Sequence, residues 1–84
     1  TTPLQALNLL NSAFVLQQAR LFAERLKREA GANSVAQVRQ AYILCFNRPA
    51  SITEVKDATA FIAAEGLEQF TRALLNANEF VFIP

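Results

Sequence analysis

Between Ser12 and Gly31, the residues Val15, Ala19, Phe22, Leu26 and Ala30 recur three or four positions apart, with Phe14, Leu16 and Ala23 widening the stripe. That spacing is the repeat of an α-helix; a strand would need a rhythm of two. Gln17, Gln18, Glu24, Arg25, Arg28 and Glu29 cover much of the other side. Gly31 supplies a residue free to turn left-handed and close the helix.

The rest of the chain repeats this design in shorter pieces. Thr2, Pro3 and Gln5 form a helix start, with Leu4 and Leu7 on one face of a short segment that ends near Asn11. Ser34 and Gln37 have the spacing of a second capping box, followed by an inner stripe of Val35, Val38, Ala41, Tyr42, Cys45 and Phe46. Asn47-Arg48-Pro49 stops that helix, because proline disfavours helical geometry in the residue before it. Ser51 and Glu54 make a third box, with Thr53 as the alternative cap and Val55, Ala58, Phe61 and Ile62 as the next apolar face. Gly66 breaks the run, and Leu67, Phe70, Ala73 and Leu74 begin another. The expected fold is all-α, a small bundle of four to five short helices with an extended C-terminal tail. Residues 1–84 form a single helical domain.

Composition removes whole classes of chemistry. The chain has no histidine and one cysteine, so Ser/His/Asp and Cys/His nucleophile systems are excluded within it, as are cysteine-only zinc sites. Cys45, inside the run AYILCF, reads as a small buried hydrophobe. No glycine-rich phosphate loop or haem-attachment motif occurs. Glu54 with Asp57, and Glu65 with Glu68, are acidic pairs whose positions fit helix-terminal electrostatics better than metal or acid-base work. No catalytic residue, cofactor or metal site is expected. The formal net charge of +1 argues against a nucleic-acid partner, which would call for concentrated basic charge. No apolar run is long enough for membrane insertion.

The end of the chain, LLNANEFVFIP, raises the most specific expectation. The last helix should end near Asn76, with Asn76 and Asn78 making turn hydrogen bonds. Phe80 should then enter the core and hold Glu79 at its edge. The expected partner of Glu79 is Arg48, a guanidinium able to take a carboxylate through two bonds. Arg48, Glu79, Asn76 and Asn78 are thus a candidate structural clamp. Phe80 and Phe82 either complete the core or face a partner.

Three ordered blocks, TTPLQALNLLNSAFV, AYILCFNRPASITEV and LLNANEFVFIP, carry a resemblance that covers nearly the whole chain. It resembles the C-terminal region of an uncharacterised protein family abundant in planctomycetes, whose large exported proteins often also carry a cytochrome-c-like domain. The middle block of that family reads closer to GRPPT; here Asn47 replaces glycine and Ser51 replaces threonine, keeping the turn and the cap. The resemblance implies an excised C-terminal module of a larger protein, consistent with an opening on Thr-Thr-Pro. It also implies a periplasmic or extracellular location and the absent upstream domains as partners. The leading expectation is a non-catalytic structural or interaction module. Alternatives are a module binding surface polysaccharide or a protein neighbour, and an accessory domain completing an upstream active site.

Overall fold

The computed structural model describes residues 13–76. Four helices occur in order: α1 (Ala13–Ala30), α2 (Ser34–Phe46), α3 (Ile52–Glu65) and α4 (Leu67–Leu75). Consecutive helices pack on one another, and α4 packs back on α1 to close the bundle. The all-α expectation holds, and no strand occurs among the described residues. The run YILCF is helical, as its upstream periodicity requires. The first expected helix, with Thr2, Pro3 and Gln5, lies outside the described residues, as does the tail from Ala77 onward.

Local chemistry accounts for the helix boundaries. Gly31, at φ 73°, donates its N–H to the Lys27 carbonyl and ends α1. Helix α2 begins one residue earlier than the Ser34 capping box implies. Asn33 is the cap, its side-chain oxygen accepting from the Ala36 N–H at 3.0 Å. Gln37 is therefore no capping partner. It is buried, and its amide donates to the Gly31 carbonyl at 2.6 Å, tying the α1–α2 turn to the second helix. An amide placed there satisfies a carbonyl that the end of α1 leaves without an intrahelical donor.

The two later boundaries follow the sequence closely. Asn47 adopts left-handed geometry at φ 53° and donates its N–H to the Ile43 carbonyl. Ser51 and Glu54 form the reciprocal box, and Thr53 has no capping part. The neighbouring Ala50 and Val55, one residue before the cap and four after it, both pack against the core, the arrangement of a hydrophobic staple. Gly66, at φ 96° and ψ 160°, is the whole connection between α3 and α4. Its N–H donates to Ile62 and its carbonyl accepts from Phe70. That backbone region is essentially closed to residues with a Cβ.

The core is built from Ala23, Leu26, Val38, Ala41, Ala58, Leu67, Phe70 and Leu74, with Phe22, Tyr42, Cys45, Phe46 and Ile62 packed around it. Four expected core residues depart from this. Phe14 is 65% exposed, and Leu16 and Val35 are also on the outside. They sit on flanks of the helical stripe that no described neighbour covers. Phe61 is likewise exposed, while Ala58 carries the buried face of α3.

One polar residue belongs to the core. Thr71 is fully buried, and its hydroxyl lies 2.7 Å from the Ala19 carbonyl of α1 and 2.8 Å from the Glu68 carbonyl. The single hydroxyl proton serves one acceptor at a time. The bond to Ala19 crosses from α4 to α1. Thr71→Val should cost about 1 kcal/mol, since it keeps the shape and removes the bond. Leu26→Ala, which opens a cavity at a fully buried site, should cost about 3 kcal/mol. Urea unfolding of the two variants beside the parent sequence checks both the values and their order.

Candidate structural site at the Arg48 corner

The densest set of polar contacts surrounds the turn from α2 to α3. Pro49 holds Arg48 out of helical geometry, and the left-handed Asn47 before it reverses the chain. The Arg48 guanidinium is thereby laid over two rings of α2, 5.3 Å from the Tyr42 centroid and 5.6 Å from that of Phe46. Those rings meet edge to face at 5.3 Å. This contact favours a planar, weakly hydrated cation over lysine.

The same guanidinium grips the start of α3. Its two terminal nitrogens donate to the two Glu54 oxygens, each at 2.9 Å. Nη1 also reaches the Pro49 carbonyl at 3.2 Å. Glu54 Oε1 in turn accepts the Ser51 N–H at 2.8 Å, and Ser51 Oγ accepts the Glu54 N–H at 3.0 Å. One carboxylate therefore serves as a capping group and as the anchor of an ion pair. The Arg48 hydrogen bonds, followed by that from Ser51, hold the Glu54 carboxyl down at about 2.

This electrostatic setting opposes acid-base chemistry. Glu54 stays ionised at neutral pH, with both oxygens committed to structural donors. A general acid or base would need a value near the working pH. Among the described residues, no group of three or more His, Cys, Asp or Glu side chains is placed to hold a metal ion. Glu68 lies in the first turn of α4 as expected, whereas Glu65 is the last residue of α3. Its charge is thus at a helix C-terminus, not a start.

Of the expected clamp residues, Arg48 and Asn76 are among those described. Arg48 is at the α2–α3 corner, and its two-bond partner there is Glu54, six residues on. Asn76 caps α4, its side-chain amide donating to the Arg72 carbonyl at 2.9 Å. Asn78, Glu79, Phe80 and Phe82 lie outside the described residues. Sequence reading identified Glu54 as a capping residue but missed it as the Arg48 partner. The available signal was the short span R-P-x-S-x-x-E, in which a capping carboxylate faces the arginine that leaves the preceding helix.

A family model described as PSD1, Protein of unknown function (DUF1553), matches residues 1–62. The chain belongs to the DUF1553 family. The matched span includes α1, α2, the Arg48 corner and most of α3 of this DUF1553 chain, and α4 follows it. No curated protein and no solved structure matches the chain.

Cys45 completes the chemical inventory of the DUF1553 chain. It packs against the core, and burial pushes its thiol up to about 11. Thiolate, the reactive form, is correspondingly scarce at neutral pH. Alkylation at pH 8 should be roughly a hundred-fold slower in the folded chain than after unfolding, as followed by mass spectrometry.

The Glu54 shift has a definite sign. An unfolded glutamate titrates at about 4.3, and the folded group at about 2. The pair therefore stabilises the fold fully above the unfolded value, and its contribution is lost as pH falls through the folded one. Glu54→Gln should lower stability by about 1 kcal/mol at pH 7, the scale for a part-exposed charge-assisted pair. It should also flatten the loss of stability between about pH 5 and pH 2. Unfolding titrations of both proteins across that range check the sign.

Proposed function

We propose that this chain is a non-catalytic structural or interaction module of a larger exported protein. The supporting observation is the use made of its best-placed charges. At the Arg48 corner, the guanidinium and the Glu54 carboxylate hold two helices together, and the carboxylate is held far from a useful catalytic pKa. Among the described residues, no helix is long and apolar enough to cross a membrane. The partners in this reading are the neighbouring domains of the parent protein. The resemblance to a region that accompanies a cytochrome-c-like domain in exported proteins supports a periplasmic or extracellular location.

The rival role is completion of an active site supplied by those neighbouring domains. The two roles separate in the parent protein with and without these 84 residues. The shortened parent should stay folded, keep its turnover within about two-fold, and bind the module added back in trans, as measured by calorimetry. A selective fall in turnover, with folding intact, would assign the chain to the active site instead.

A further inference from the structure

Two grooves adjoin on the α1–α2 side of the bundle. One, of about 440 Å³, is walled by Leu21, Phe22, Leu44 and Cys45, with Arg25 and Arg28 on its rim. The other, of about 770 Å³, runs past Val35, Ala36 and Ile43, with Glu29, Arg39 and Gln40 along its edges. They meet at a hydrogen-bonded bridge. Arg25 Nε donates to Glu29 Oε2 at 2.6 Å, and Gln40 Nε2 donates to Glu29 Oε1 at 2.8 Å, tying α1 to α2.

Two properties of this surface point to a ligand. Leu21, Val35, Ile43 and Leu44 are all exposed, Leu21 at 44% and Ile43 at 46%. One exposed aliphatic means little, but several on adjoining walls mark an interaction surface. The charges are also one-sided. Across both linings three guanidinium groups stand against one carboxylate, Glu29, whose oxygens are already bonded to Arg25 and Gln40. Arg28 acts on Glu29 at longer range. Neither Arg28 nor Arg39 has a hydrogen bond or ion pair among the described residues, and both are exposed.

We propose that this surface binds an acidic protein segment, whose aliphatic side chains enter the grooves while its carboxylates meet Arg28 and Arg39. The inference rests on the reading of the chain as an interaction module, and the segment belongs to a neighbouring domain of the parent protein. Charge complementarity selects the acid, because a guanidinium is a planar fork that takes a carboxylate through two bonds. The exposed walls suit a protein segment better than a small molecule, which is normally enclosed over most of its surface. A lipid surface is the poorer match, since polybasic membrane sites ordinarily gather about four or more cations. The Glu29 bridge fixes the middle of the surface before a partner arrives, and such preorganisation lowers the cost of binding.

Arginine footprinting tests the surface in the intact parent. Phenylglyoxal should modify Arg28 and Arg39 at least about ten-fold more slowly there than in the 84-residue chain alone. Arg20, exposed on α1 but lining neither groove, should react equally in both. A photo-crosslinking phenylalanine analogue in place of Ile43 should label a parent segment with more Asp and Glu than Lys and Arg. Combining Arg28→Glu with Arg39→Glu should cut that yield at least about ten-fold, with the helical circular dichroism unchanged. Equal reactivity of Arg28 and Arg39 in the two forms would overturn the surface. Calorimetric binding of the chain to the shortened parent would then keep the interaction reading, and its absence would end that too. Crosslinks to a basic segment, or between two copies of the chain, would also overturn the proposal. Shielding that required phosphatidylserine vesicles would replace the protein segment with a membrane.

Discussion

Close approach of the first and last described helices is the constraint on which the bundle rests. The face of α1 turned inward carries Ala19 and Ala23, both almost fully buried. Methyl-sized side chains let the α4 backbone come near enough for Thr71 to reach a main-chain carbonyl on α1. A larger residue at either alanine would force the helices apart, and overpacking a tight core costs stability as surely as a cavity does. The bond joins positions 52 residues apart in sequence. It therefore closes the bundle, whereas the other helix pairs are neighbours along the chain. Leu26 and Val38, both without exposed surface, fill the space that this closure leaves.

Around that closure, the polar groups are spent on turns. Gln37 binds the end of α1, the Arg48 and Glu54 pair binds the end of α2 to the start of α3, and Gly66 serves two helices at once. No buried side-chain polar atom among the described residues lacks a hydrogen-bond partner. A site evolved for chemistry commonly leaves some group strained, shifted towards neutral pH or unsatisfied. Among the described residues, the strongly shifted groups move away from neutrality, Glu54 down and Cys45 up.

What could be read from the sequence was local. The Ser51 box, the left-handed Asn47 and the two glycine boundaries each depend on residues within one turn of each other, so short-range chemistry decides them. Asn33 and Ser34 both offered suitable oxygens at adjacent positions, and the sequence pattern alone did not choose Asn33, which is the cap. The exposure of Phe14 and Leu16 could not be read from periodicity, which finds a helix's apolar side without saying how wide a strip its neighbours cover. Thr71 was hidden for a similar reason: its acceptor belongs to another helix. At the candidate site, Arg48 was recognised as a two-bond carboxylate binder. Its near partner was overlooked because Glu54 already had a role, and one carboxylate can fill two.

The single-residue joint at Gly66 has an evolutionary consequence. New binding specificities usually arise in loops, which accept insertions and substitutions while the scaffold stays put. A joint of one glycine offers nothing to lengthen or decorate, and the α1–α2 turn, with Gly31, Ala32 and Asn33, offers little more. The remaining connection within residues 13–76, 47–51, is taken up by the Arg48 corner, so novelty falls mainly on helix faces, where each change is also a change in packing. Such a fold diversifies slowly, because every new surface has to be compatible with the packing beneath it.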